Sequence, residues 1–153
     1  MKKGVVIAGL AIILISLILL ITFPYQFYKS AGEVNSSDYS QGTKITVYGT
    51  ITDVKYINLE NMGIPVNMTI IELDSHLNIT LEGKLRNFGV GSFVIMDIIK
   101  SERKVQVGPF QFVITYWETS QDSIHSVEEI QRYFEIAMIV GAVVLIVGMA
   151  LRF

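Results

Sequence analysis

Hydrophobic positions along this chain fall into two unbroken blocks at its ends and a period-two alternation between them. Gly4 to Phe23 contains no charged residue, and neither does Ile136 to Leu151. A helix rises about 1.5 Å per residue, so about 20 apolar residues cross a hydrocarbon core of about 30 Å. The first block meets that length. The second is shorter, and Arg132 and Glu135 reach the interface along their stems beside an aromatic belt of Tyr133 and Phe134. The pattern predicts two transmembrane α-helices: residues 1–24, and residues 127–153 as a helix that starts outside the bilayer and continues into it. Ser126-Val127-Glu128-Glu129 reads as a capping box for the second, and Pro24 ends the first ahead of an interfacial cluster of Tyr25, Phe27 and Tyr28. A cleaved signal peptide is the alternative for the first block. Its apolar core would be shorter, about 7–15 residues, and small residues would follow it, where this chain has Phe23-Pro24-Tyr25.

Between the blocks, residues 25–43 predict an extended linker, rich in Ser, Gly, Asn and Asp from Ser30 to Thr43. Residues 44–120 then read as five strands. Lys44 to Asp53 places Ile45, Val47 and Ile51 on one face, with Gly49 at the cheapest point for a bend or bulge. Tyr56 to Pro65 is a loop. Met68 to Leu73 and Leu77 to Leu81 form a hairpin around Asp74-Ser75, with Leu77, Ile79 and Leu81 inward and Asn78 and Thr80 outward. Phe88 to Gly91 turns the chain into Ser92 to Lys100, and Ser101-Glu102-Arg103 reverses it into Val105 to Glu118. In that last strand Phe110, Phe112, Ile114 and Tyr116 share one face while Val113 and Trp117 occupy the other. One small barrel does not easily bury both sets together with Val94, Met96 and Ile98, so the linker, the bilayer surface or another subunit covers part of them, unless the β-core is simply large.

Charge and composition narrow the chemistry. The chain is 51% hydrophobic, but the excess lies in the terminal blocks. From Lys29 to Arg132, nine Lys and Arg stand against thirteen Asp and Glu, a sign that argues against phosphate-rich partners. Lys2 and Lys3 precede the first span and Arg152 follows the second, which favours both termini in the cytoplasm and the central domain outside it. Three N-glycosylation sequons, at Asn35, Asn67 and Asn78, all fall in the central segment and agree with that orientation. With no cysteine there is no disulfide, thiolate metal site or cysteine nucleophile. Asp53, Asp74 and Asp97 show no spacing for a paired acid and base or a three-ligand metal site, so neither enzyme nor cofactor is expected. Asp97 interrupts an apolar strand, and either emerges at its end or pairs with Arg86 or a lysine.

The runs ITVYGTITDV, MTIIELDSHLNITLEG and GVGSFVIMDIIKSERKVQV together resemble the OB-fold, a small five-stranded Greek-key all-β barrel. Other small barrels or sandwiches share such meanders. The resemblance implies binding of oligonucleotides, oligosaccharides or protein segments on the face of its second and third strands. Two loops would border that face: one carrying Tyr56, Asn58 and Asn61, the other Lys100, Arg103 and Lys104. Glu60, Glu72, Asp74, Glu82 and Glu102 lie among the cations, which argues against nucleic acid as the ligand. An N-terminal anchor before an OB-like domain is similar to the haem chaperones of cytochrome c maturation. Their histidine, followed four residues later by a tyrosine after the barrel, is not matched by His76 or His125, and the second span is a further departure.

Small residues make faces that permit close helix contact, through pairing of the two spans or docking on a partner: Gly4 and Ala8 on the first span, Ala137, Gly141 and Gly148 on the second. Gly and Ala are also common in membrane helices generally. The expectation is a two-pass membrane protein whose extracytoplasmic OB-like domain is a non-catalytic protein-binding or assembly module, an accessory subunit with a membrane-protein partner or a second copy of itself. A ligand chaperone or an oligonucleotide- or oligosaccharide-binding protein is the alternative.

Overall fold

The structure, a computed structural model, describes residues 2–151; Arg152, one of the flanking charges invoked above, lies outside the described residues. It divides into a helical unit, residues 1–27 with 127–153, and a β unit, residues 28–126.

In the helical unit, α1 (Lys2–Thr22) and α2 (Val127–Ala150) are each long and apolar enough to cross a membrane. They run antiparallel. Val5 and Val6 lie against Gly148, Ile12 and Ile13 against Gly141, and the Phe23 ring meets Phe134 edge-on at 5.5 Å. The glycines are what allow this approach. A Cβ on Gly141 would sit 2.9 Å from both Ile12 and Ile13, one on Gly148 2.9 Å from Val5, and one on Gly9 only 2.7 Å from the Leu145 backbone nitrogen. Because lipid tails are as apolar as the side chains, such close packing rather than hydrophobic burial drives helix pairing in a bilayer.

The seam uses only some of the small residues singled out in the sequence. Gly141 and Gly148 are in it and Ala137 is half-buried, but Gly4 faces open space and Ala8 is exposed. Gly9, Ser16 and Phe23 form the α1 side instead. Their spacing of seven matches that of Gly141 and Gly148, as two helices wound around each other require, whereas Gly4 and Ala8 lie on a stripe of spacing four that rotates away.

The β unit is a seven-stranded sheet: β1 (Lys29–Ser30), β2 (Lys44–Asn58), β3 (Asn67–Leu73), β4 (Leu77–Glu82), β5 (Phe93–Val107), β6 (Phe110–Thr119) and β7 (His125–Ser126). Its order is β1-β2-β3-β4-β6-β5-β7, and it partly closes on itself because β2 also pairs with β5. The closure rests on β2 changing partner midway. Lys44 to Thr50 pairs with β5, then Ile51 to Asn58 pairs with β3. The register slips at Thr52, not at Gly49 as expected. Gly49 answers a different need, since a Cβ there would lie 2.9 Å from Asp74 Oδ2 and 3.1 Å from Ala31.

The inward alternation holds: Val47, Ile51, Ile71, Leu73, Leu77, Ile79, Leu81, Val94, Met96 and Ile98 make the core. The β3–β4 hairpin turns through Asp74 and Ser75, both at positive φ (52° and 55°), and the Thr50 amide donates to Asp74 Oδ1 at 2.9 Å. Asp97 is held by the Thr46 hydroxyl and by Lys44, whose Nζ is 3.8 Å from Oδ2.

Three elements differ from the sequence reading. β2 runs on to Asn58, through Tyr56. The reversal expected at Ser101-Glu102-Arg103 lies instead at Gly108-Pro109, with Gly108 at φ 60°, so Lys100, Arg103 and Lys104 are strand residues rather than loop residues. The favoured two-residue hairpin takes a glycine of positive φ at its first position, which Ser101-Glu102 does not supply. The third is the linker. Ala31 and Val34 are wholly buried in the β core, and 3₁₀ turns at Ala31–Glu33 and Ser36–Asp38 fold residues 29–39 onto the sheet.

A strand has only two edges. At Tyr48 one is taken by Ile95 of β5, so Ser30 of β1 occupies the other; at Ile95 the second edge is taken by His125 of β7. Ser30, Tyr48, Ile95 and His125 therefore form one row. At about 4.8 Å per strand the chain joins and leaves the β unit at points about 14 Å apart.

Replacing Gly141 with Leu is expected to destabilise the helix pair by about 1–3 kcal/mol, read as a lower melting temperature of the detergent-solubilised chain, while Gly4→Leu leaves it unchanged. Equal effects would show that the seam is misplaced.

Candidate functional site

The outer face of β3 and β4 is the floor of a cleft. Alternation turns Ile70 and Glu72 of β3 and Asn78 and Thr80 of β4 away from the core. One wall is the folded linker, Gly32 to Ser36; the other is Thr115 to Trp117 of β6, and between them is an open cleft of about 980 Å³. A second cavity of about 910 Å³ adjoins it, sharing Ile70, Thr80 and Tyr116 and bounded by Glu60 and Pro65 on one side and Arg103 and Lys104 on the other.

The linker wall is fixed by side chains from the sheet. Lys100 Nζ donates to the Ser36 carbonyl and, at 2.7 Å, to that of Tyr39. Trp117 Nε1 donates to Ser36 Oγ at 2.9 Å, and its ring meets Tyr39 edge-on at 5.5 Å. His76 Nε2 lies 2.7 Å from the Val34 carbonyl, to which its N–H donates. Lys29 Nζ reaches the Tyr39 hydroxyl at 3.0 Å, a bond that holds its ammonium above its usual pKa.

The candidate residues separate into three groups. Lys100 belongs to the clamp and is not free to bind. Tyr56, Asn58 and Asn67 bond to one another, Tyr56 Oη donating to Asn67 Oδ1 at 2.8 Å and Asn58 Nδ2 donating to Tyr56 Oη at 3.3 Å, with Lys84 Nζ over the Tyr56 ring. Asn61 is exposed in the 3₁₀ turn Glu60–Met62. Arg103 and Lys104 line the second cavity together with Glu60, Pro65 and Val66 of the β2–β3 loop, whereas Tyr56, Asn58 and Asn61 are not among its lining residues. All three sequon asparagines lie on the cleft, Asn35 and Asn78 in the first cavity and Asn67 in the second, and Asn35 also caps its 3₁₀ turn by accepting from the Ser37 amide.

Tyr116 and Trp117 were read from the sequence only as surplus apolar residues, yet Tyr116 joins the two cavities. The Glu118 carboxylate accepts from its phenol and pushes its pKa up, with Arg103 opposing. Glu60, Glu82 and Glu118 line the second cavity together with Arg103 and Lys104, so it carries both signs of charge. Above this floor, Phe110 to Tyr116 of β6 pairs with β5 along one edge, and among the described residues no strand pairs with the other. A mixed apolar and bipolar groove beside an open strand edge is suited to an extended peptide segment, whose main chain adds to the edge while alternate side chains enter the groove.

No protein-family model matches the chain, and no curated protein matches it in sequence.

Lys100→Met is expected to release the linker, costing about 1.5–3 kcal/mol for the charged hydrogen bonds and speeding limited proteolysis between residues 31 and 43; unchanged cleavage would show that the clamp is dispensable. For Tyr116 the raised pKa favours the neutral phenol in the fold. Its contribution is present below the ordinary value near 10 and lost as pH rises through the raised one. Phenolate absorbance, assigned with Tyr116→Phe, is expected to show this tyrosine ionising above that value and Glu118→Gln bringing it back.

Proposed function

We propose that this chain is a two-pass membrane protein, with both termini cytoplasmic, that presents an extracytoplasmic OB-type barrel as a non-catalytic assembly module for a membrane-protein partner. The barrel reading is supported by the ring order β2-β3-β4-β6-β5-β2 with β4 and β6 parallel, the order an OB-fold takes when β2 is its first strand. The observation that carries the function is the cleft: two adjoining cavities on the β3–β4 face, walled by an ordered linker and bordered by an open strand edge. The orientation rests on Lys2, Lys3 and the sequons. Modification of Asn35, Asn67 or Asn78 is the expected outcome if the β unit lies outside the cytoplasm, read as a mass shift removed by a glycosidase.

The test is purification of the tagged chain from its native membrane in mild detergent, with mass spectrometry and an absorption spectrum of the eluate. A stoichiometric membrane protein is expected, lost when Ile70→Arg places a charge at the junction of the two cavities. A lone chain carrying a chromophore or nucleic acid would overturn this reading in favour of ligand handling.

A further inference from the structure

β5 and β6 are longer than the ring that contains them. β5 pairs with β2 only through Ile99, and β6 pairs with β4 only from Trp117 onward, so residues 100 to 116 project as a two-stranded arm. The β5–β6 ladder runs without a register slip, and among the described residues no strand takes the second edge of β6 from Phe110 to Tyr116. Sheet proteins guard such an edge with a charge, a proline or a bulge. This one, FQFVITY, has none of them, and it exposes Phe110 at 66%, Phe112 at 52%, Val113 at 53% and Ile114 at 49%. A bare edge of aromatic and β-branched residues is a template for another strand.

We infer that two copies of the chain pair along this edge, β6 against β6, antiparallel about a two-fold axis through Val113. The first ground is length. A strand added here stops at Pro109, which has no amide hydrogen, and at Trp117, where β4 takes the edge. The free segment between them is centred on Val113, so the axis at that residue is the one that pairs all of it in both copies. The second ground is the match of side chains. That register sets Phe110 opposite Tyr116 of the second copy and Phe112 opposite Ile114 on one face, where the Phe110 and Phe112 rings already lie 6.5 Å apart. On the other face Gln111 meets Thr115, and Val113 meets its own counterpart. Aromatic pairs and pairs of aromatic with β-branched residues stabilise antiparallel strands, and a two-fold interface must be complementary to itself. Moving the axis to Ile114 would set the Glu118 carboxylate against Phe110, and moving it to Phe112 would set Tyr116 against Gly108. The third ground is charge. No charged residue occurs from Phe110 to Trp117, and Glu102, Arg103 and Lys104 lie on β5, outside the pair. Three strand spacings, about 14 Å, separate Lys104 from its counterpart, beyond the screening length of about 8 Å at physiological salt. Two such strands would bury on the order of 1,000 Å² in total, the low end for specific association, so the pair is reversible. The inference rests on the assembly reading only in using this edge for docking; it gives the edge to a second copy and leaves the cleft floor around Ile70 and Thr80 to the partner.

The chain has no cysteine, so Val113→Cys places a single thiol on the axis. Directly opposite residues of antiparallel strands have Cα atoms about 4.5–5.5 Å apart, within reach of a disulfide. In the full-length chain in mild detergent, where two copies meet in any orientation, copper phenanthroline is expected to cross-link Val113→Cys many-fold faster than Gln41→Cys on the body. Gln111→Cys alone is expected to stay slow, because its counterpart lies about 14 Å away along the strand. A mixture of Gln111→Cys and Thr115→Cys chains is expected to give the mixed dimer. Val113→Lys sets two ammonium groups on the axis and is expected to raise the dissociation constant of the dimer, read by light scattering, at least about tenfold, while Val113→Thr leaves it unchanged. The emission of Trp117, the one tryptophan, reports folding of each variant. Cross-linking of Val113→Cys no faster than that of Gln41→Cys would overturn the inference. So would a dimer indifferent to Val113→Lys, which assigns self-association to the helices, or an adduct formed by Val113→Cys in native membranes with the mass of another protein, which gives the edge to the assembly partner. Ile70→Arg, expected to lose that partner, is expected to leave cross-linking at Val113 intact, so the two readings fail separately.

Discussion

Four residues in one hydrogen-bonded row, Ser30, Tyr48, Ile95 and His125, carry the chain into the β unit and out of it. The two central members belong to the long strands β2 and β5, and the two outer ones to two-residue strands that occupy their remaining edges. That row sets the entry and exit of the β unit three strand spacings apart, about 14 Å along the sheet. A domain inserted between two antiparallel helices needs its ends close together. Short edge strands meet the need through backbone hydrogen bonds alone, and they also cover edges of β2 and β5 that would otherwise be open to pairing.

The same economy of edges explains the cleft. β2 gives one edge to β5 in its first half and the other to β3 in its second, and the Thr52 slip absorbs the change of direction. The sheet closes where strands are long enough to pair, and β6 reaches β4 over three residues only, Trp117 to Thr119. Beyond that point β6 diverges with β5, and the wedge between the arm and the β3–β4 face is the second cavity. The first exists because the polar segment after β1 folds down as a wall. Of its buried anchors, Ala31 lies where Gly49 leaves room by lacking a side chain, and Lys100 donates to the Tyr39 carbonyl.

Much of the fold is legible in the residues, and the site much less so. Leu77, Ile79 and Leu81 point inward because strand geometry alternates sides, and any sheet the segment joins will bury that face. Asn78 and Thr80 are therefore legible as outer-face residues, as are Gly141 and Gly148 as points of close helix approach. The fold of the linker is not legible because a polar stretch with two apolar residues has no period to detect, while Ala31 and Val34 are buried in a core built by strands distant in sequence. Lys100 is misread for a similar reason: a lysine at the end of an apolar strand is a surface charge unless two carbonyls from another segment converge on it. The reversal is misplaced because Ser101 to Lys104 is charged, and charge there reflects solvent on both sides of a projecting arm rather than a turn.

By itself the sequence determines what depends on composition and period: two helices of membrane-spanning length, a strand-rich domain between them, and the side of each strand that enters the core. Burial of apolar surface is a property each segment carries with it. Only the tertiary structure decides which strand edge meets which, where the arm leaves the ring, that α1 packs through Gly9 rather than Gly4, and that the polar linker becomes a wall of the cleft. Backbone hydrogen bonds are chemically alike at every residue, so no side chain names the partner of an edge until the chain has closed on itself.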